Sequence, residues 1–179
     1  MANENLKRLQ SRVDDFFAGI VTRHAEHLAC GEGCSSCCKG RLSLFVVELE
    51  PMLEAVSALD PALRSRIQAR AARDPEECPL LEDNRCSVYA VRPIICRSHG
   101  APILVRPDDP EAPPTRDVCP LNFAGPLSLA ALPGTDLLDL ERLNSMLSLV
   151  NRLAMAEAGG EERVDLRQAL TMKRSGLRP

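Results

Sequence analysis

The stretch Cys30-Gly-Glu-Gly-Cys34-Ser-Ser-Cys37-Cys38 holds four cysteines within nine residues. The chain has 179 residues and eight cysteines, and all of the cysteines fall between Cys30 and Cys119. Thiolates bind zinc and iron strongly, and a reducing compartment disfavours disulfides. The stretch therefore predicts a metal-binding protein in which sulfur ligands organise an irregular middle region.

Charge and hydropathy argue against several classes of partner. The chain carries 22 Lys and Arg against 25 Asp and Glu, a net charge of −3, and has no basic stripe that would predict a nucleic-acid partner. Its apolar runs fall well short of the ~20 residues that span a bilayer, so we expect no membrane segment. The polar start does not resemble a secretory signal. We therefore expect a cytoplasmic protein.

The composition also bounds the fold. A chain of this length can close one substantial core, and we expect a single domain over residues 1–179. With no Trp, one Tyr and four Phe, that core must be mainly aliphatic. We expect a mainly α fold, a helical domain with an irregular cysteine-rich metal-binding lobe and one or two short β-strands.

Hydrophobic periodicity predicts four helices, over residues 3–29, 48–59, 61–73 and 136–157. The first and last of these should pack the cysteine-rich region 28–125. Asp60 is placed to cap the third helix, and Pro61 suits its first turn. Shorter elements are expected as strands within 42–47, 86–91 and 103–106 and as a last short helix within 163–177.

The cysteine spacing predicts metal sites but leaves the metal open. Tetrahedral zinc sites use four ligands, often as close pairs on tight turns. Cys34-x2-Cys37 is one such pair, with Cys30 and Cys38 on either side. The other candidate ligands are spaced more widely, at Cys78, Cys86, Cys96 and Cys119. Eight thiolates would fill two zinc sites, two four-cysteine iron–sulfur clusters, or one cluster with free thiols left over.

Several neighbouring residues refine this prediction. The adjacent side chains of Cys37 and Cys38 should diverge, so we expect one of them to serve a different site or to act as a redox-active thiol. Clustered thiolates also need compensating cations, and five candidates lie close to cysteines in sequence: Lys39, Arg41, Arg85, Arg92 and Arg97. His99 follows Cys96 by three residues and is a candidate ligand or acid–base group.

One longer arrangement is specific. It runs Cys30-x3-Cys34-x2-Cys37-Cys38, then Cys78-Pro-Leu-Leu, then Arg85-Cys86-Ser-Val-Tyr89-x2-Arg92-Pro93-x2-Cys96-Arg97. This arrangement resembles the bacterial YkgJ-type cysteine-cluster family, written CxxCxxCC, whose members are described as zinc- or iron-chelating. The first gap here has three residues instead of two. Cys96-Arg-Ser-His-Gly is also similar to a subgroup that carries Cys-Arg-x-His-Gly. The resemblance implies a metal site built from the eight cysteines.

Two functions follow from these patterns. The first is metal binding, in which zinc or iron is held by eight thiolates: Cys30, Cys34, Cys37, Cys38, Cys78, Cys86, Cys96 and Cys119. The second is an iron–sulfur or metal-dependent enzyme, redox or methyl-transferring, in which His99 and Arg97 line a substrate pocket. The methyl-transfer option comes from a flagellin lysine methylase, which is thought to share a related cysteine-rich region.

Overall fold

The described chain is mainly helical with short strands, which confirms the predicted fold class. The computed structural model describes residues 2–73, 76–107, 109, 111–125, 127–155 and 163–172. Its α-helices are α1 Ala2–His24, α2 Val46–Ala58, α3 Pro61–Ala72, α4 Ile94–Ser98, α5 Leu140–Ala154 and α6 Leu166–Thr171. Its strands are β1 Ser43–Phe45, β2 Leu81–Glu82, β3 Arg85–Cys86, β4 Ile103–Val105, β5 Thr115–Asp117, β6 Leu138–Asp139 and β7 Arg163–Asp165. No helix among these residues is both long enough and apolar enough to cross a membrane.

The four long helices lie where periodicity predicts them, but two of their ends differ from the prediction by four residues or more. Periodicity predicts that the first helix reaches residue 29, whereas α1 gives way to a 3₁₀ turn at Ala25–His27. It predicts that the last helix begins at residue 136, whereas α5 begins at Leu140 because Leu138 and Asp139 pair with β4. That strand pairing is a contact between distant residues, which local periodicity cannot reveal. Residues 156–157 of the predicted helix lie outside the described residues.

The short elements were harder to predict. The prediction of a strand over 86–91 is wrong in most of its length. Strand β3 ends at Cys86, and Tyr89–Val91 form a 3₁₀ turn. Pairing across the β2–β3 hairpin ends at Cys86, and the Val91 amide then donates to the Val88 carbonyl at 3.0 Å, which turns the chain instead of extending it. The predicted strands within 42–47 and 103–106 are confirmed, as is the last helix, α6; residues 173–177 lie outside the described residues.

The chain divides into two compact units. Unit 1 is formed by Met1–Leu6, Glu32–Pro93 and Ser148–Pro179, and unit 2 by Lys7–Gly31 and Ile94–Leu147. The cysteines divide with them: Cys34, Cys37, Cys38, Cys78 and Cys86 belong to unit 1, and Cys30, Cys96 and Cys119 belong to unit 2. The expectation of a single domain stays a prediction.

The core of unit 1 lies between helices and a small strand pair. β7 pairs antiparallel with β1, with Leu44 opposite Val164. The Asp60 carboxylate caps α3 by accepting a hydrogen bond from the Ala62 amide. Pro61 is the first helical residue, as the sequence predicts. The fully buried aliphatic side chains come from several elements and include Leu44, Leu49, Ile67, Leu80 and Leu166.

Unit 2 has a smaller core and a three-stranded sheet. β4 is its central strand, antiparallel to β5 and parallel to β6. The core contains Ile20, Phe123 and Leu132. At its edge the buried Asp136 carboxylate contacts His24 Nε2 at 2.7 Å and an Arg23 guanidinium nitrogen at 2.9 Å. The hydrogen bond from His24, then that from Arg23, holds the pKa of Asp136 below its usual value.

We predict that Ile67→Ala lowers the free energy of unfolding of unit 1. The Ile67 side chain is fully buried, and deleting its larger part leaves a cavity that costs about 2–5 kcal/mol. Gln68→Ala, an exposed neighbour on α3, is the matched control and should change stability by less than about 0.5 kcal/mol. Urea unfolding of both variants in the same metal state measures the difference; equal stabilities would show that this core is described wrongly.

Candidate metal centre

Unit 1 aligns two cysteine-bearing segments that are distant in sequence. The amide of Cys78 donates to the Cys38 carbonyl at 2.9 Å, and the amide of Gly40 donates to the Glu76 carbonyl. Between these bonds Lys39 forms an antiparallel bridge with residue 77. Because an antiparallel bridge fixes which residues lie opposite each other, it places Cys38 beside Cys78.

The β2–β3 hairpin adds Cys86 to the same group. Leu81 pairs with Cys86 across the hairpin, and the Leu81 amide donates to the Cys78 carbonyl at 3.1 Å. Cys86 therefore lies within the hairpin, and Cys78 lies just before it. At its turn, Asn84 Oδ1 accepts a hydrogen bond of 3.1 Å from Ser35 Oγ, which ties the Cys34–Cys38 loop to the hairpin.

The thiols of unit 1 influence one another electrostatically. Burial raises the pKa of Cys38, and the neighbouring thiols of Cys78 and Cys86 raise it further. Burial is also the largest cause of the raised pKa values of Cys78 and Cys86. A buried group of thiolates is costly unless a cation offsets the charge, and a metal ion supplies that charge. The donor set therefore fits a thiophilic metal.

Cys37 and Cys38 lie on a tight turn, in which the Cys38 amide donates to the Ser35 carbonyl at 2.9 Å. Burial, then charge repulsion from Cys38 and a hydrogen bond with it, raises the pKa of Cys37 to about 11. Cys37 is exposed at the surface, and Cys38 is half-buried. The expectation that one of these two thiols serves a different site stays a prediction.

Of the five cations that the sequence nominates, Arg92 acts on this group. Its charge lowers the pKa of Cys38 and of Cys86, and its guanidinium stacks on Tyr89 at 3.6 Å from the ring centre. The other four are engaged elsewhere or exposed: Arg41 with Asp165 at 3.2 Å, Arg85 with Glu32 at 2.6 Å, Arg97 with Asp14 at 2.6 Å, and Lys39 exposed.

Sequence reasoning missed two arginines that face Cys78. The charges of Arg167 and Arg70 lower the pKa of the Cys78 thiol against the larger effect of burial. Neither arginine adjoins a cysteine in sequence, so proximity along the chain gave no signal for them.

Two buried polar atoms of this unit, Arg70 Nη2 and Ser87 Oγ, have no hydrogen-bond partner among the described residues. Buried polar atoms normally have one, but a guanidinium nitrogen only donates hydrogen bonds, so Arg70 would not itself ligate a metal ion.

In unit 2 a buried asparagine joins the segments that carry the cysteines. Asn122 is 2% exposed, and its Nδ2 donates to Cys30 Sγ at 3.2 Å and to the Gly100 carbonyl at 2.8 Å. Its Oδ1 accepts from the Ala29 amide at 2.8 Å, and its own amide donates to the Cys119 carbonyl at 2.8 Å. Sequence reasoning missed Asn122, although its place three residues after the last cysteine was a signal.

Gly100 explains the final position of the Cys-Arg-x-His-Gly pattern. Its φ is +93°, and a Cβ added there would lie 2.6 Å from Cys30 Sγ. Only glycine therefore lets this backbone approach the thiol. His99 is exposed, and the Arg97 side chain is 10% exposed and paired with Asp14.

All eight cysteines are free thiols. Among the described residues, no three Cys, His, Asp or Glu side chains already stand close enough together to hold an ion. Ligation therefore requires the thiols to draw closer, and the ligand set stays a prediction.

We predict that Gly100→Ala destabilises unit 2 and displaces Cys30. The positive φ alone costs about 1–3 kcal/mol for a residue with a side chain, and the contact with Sγ adds to this. Gly134→Ala is the matched control, because a Cβ at that position meets nothing within 4 Å. Thermal unfolding compares the two; similar midpoints for both variants would rule out the close approach of Gly100 to Cys30.

Comparison with known proteins identifies the family of this chain. Residues 29–120 match the sequence model of the CxxCxxCC family, described as a "putative zinc- or iron-chelating domain". The matched region includes all eight cysteines and just over half of the chain. Neither a curated protein nor a solved structure gives a significant match. The chain belongs to the CxxCxxCC family.

Proposed function

We propose that the protein binds zinc or iron through the thiolates of its eight cysteines: Cys30, Cys34, Cys37, Cys38, Cys78, Cys86, Cys96 and Cys119. The observation that carries this proposal is the hydrogen bond from the Cys78 amide to the Cys38 carbonyl, which aligns two thiol-bearing segments in unit 1. The family match supports metal chelation in general. Since these thiols must stay reduced, we also propose that the protein acts in the cytoplasm.

The two units would contribute differently. Unit 1 supplies five thiols, which exceeds the four that a tetrahedral zinc site uses. It also supplies three arginines whose charges offset thiolates: Arg70, Arg92 and Arg167. Unit 2 supplies three thiols, one of them held by Asn122. Bound metal would offset the charge of the thiolates and link the cysteine-bearing segments within each unit.

Binding alone is the function that the described contacts support. The enzyme alternative depends on His99 and Arg97 lining a substrate pocket. Arg97 instead donates to Asp14 Oδ2 at 2.6 Å, and His99 is exposed. We therefore base no reaction on these two residues.

We predict that protein purified without oxygen contains zinc or iron, and that Cys78→Ser loses it. Loss of a residue that only hydrogen-bonds a metal ligand lowers metal affinity by about 10- to 100-fold. Replacing the Cys78 thiolate removes a ligand itself, so the variant should lose its metal to a chelator more easily than that. Ser65→Ala, at an exposed position of α3, is the control and should retain metal as the wild type does. Elemental analysis measures the content, and visible absorbance separates iron–sulfur clusters from colourless zinc.

Wild-type protein that holds no metal while all of its thiols react freely with a thiol reagent would contradict the proposal. Retention of metal by Cys78→Ser at the wild-type level would remove Cys78 from the ligand set.

A further inference from the structure

The segment formed by β7 and α6 lies outside the family match yet contacts both cysteine-bearing parts of unit 1. It covers residues 163–172, whereas the match ends at residue 120. These contacts cannot be read from the family pattern, because they join the C-terminal part of the chain to residues near Cys38 and Cys78.

The first contact lies just after the Cys34–Cys38 loop. β7 pairs with β1, and the Leu166 amide donates to the Leu42 carbonyl at 2.8 Å. Arg41 Nε donates to Asp165 Oδ2 at 3.2 Å, and the same carboxylate caps α6. The chain that leaves Cys38 is thereby fixed to the C-terminal segment.

The second contact encloses Cys78. Arg167 is 5% exposed; its Nη1 donates to the Arg70 carbonyl at 3.0 Å and its Nη2 donates to the Glu77 carbonyl. Arg70 Nε in turn donates to the Pro79 carbonyl at 3.1 Å. Two guanidinium groups therefore hold the carbonyls on either side of Cys78.

We propose that Arg167 is a positioning residue for metal binding in unit 1, so that the C-terminal segment completes a site which the family pattern places within residues 29–120. By bonding the Glu77 carbonyl, Arg167 fixes the backbone of Cys78 opposite Cys38. Arg70 holds the carbonyl of Pro79 in the same way, so both neighbours of Cys78 are fixed by guanidinium donors. This inference rests on the proposed metal-binding function.

The test compares Arg167→Gln and Arg167→Lys with Arg152→Gln, which removes an exposed arginine of α5 in the same unit. Each protein is purified without oxygen, and its metal content is measured by elemental analysis after incubation with increasing EDTA. We expect Arg167→Gln to release metal at about 10- to 100-fold lower EDTA than the wild type, as for other partners of metal ligands. Arg167→Lys, which keeps the charge, should recover part of the loss. Arg152→Gln should match the wild type.

A purely structural role predicts a different result. If Arg167→Gln lowers the unfolding midpoint of the metal-free protein but retains metal like the wild type, the inference is overturned. If that variant does not fold, Arg41→Gln tests the same segment through its exposed contact with Asp165: a smaller but measurable loss of metal supports the inference, and wild-type retention overturns it. Absence of metal from both the wild type and Arg152→Gln would instead overturn the proposed function itself.

Discussion

The antiparallel bridge between residues 38–40 and 76–78 holds together the thiol-bearing segments of unit 1. Its backbone hydrogen bonds bring Cys38 beside Cys78, and the hairpin that follows adds Cys86. Burial raises the pKa of each of these three thiols, and Cys78 and Cys86 raise that of Cys38 further, so ionising all three is costly without a compensating cation. Under the proposed function, a soft metal would draw these thiols closer together and offset their charge.

In unit 2 a neutral side chain, that of Asn122, contacts a cysteine sulfur. Asn122 satisfies backbone groups next to Cys30 and Cys119 and donates to the Cys30 sulfur itself. An amide donor stabilises a thiolate without adding charge, whereas unit 1 uses arginines. Gly100 allows its own carbonyl to reach the asparagine because no side chain stands between its backbone and the thiol.

Local sequence patterns predicted some parts of this structure and missed others for a consistent reason. The helices α2 and α3 follow from apolar periodicity and from the Asp60-Pro61 boundary, both of which are local. β6 was mistaken for helix, since its pairing with β4 is a contact between distant residues. The cysteines are recognisable by residue type, and Asn122 lies close to one of them in sequence, but Arg167 reaches Cys78 only through the fold, so spacing along the chain could not nominate it.

If a metal ion binds among sulfur atoms from separate segments of the chain, X-ray absorption at the metal edge should detect them, because the spectrum reports the ligand atoms themselves. Protein purified without oxygen should show a coordination shell dominated by sulfur, at about 2.3 Å if the metal is zinc. A shell of nitrogen and oxygen alone, or protein without metal, would show that these thiols do not bind a metal.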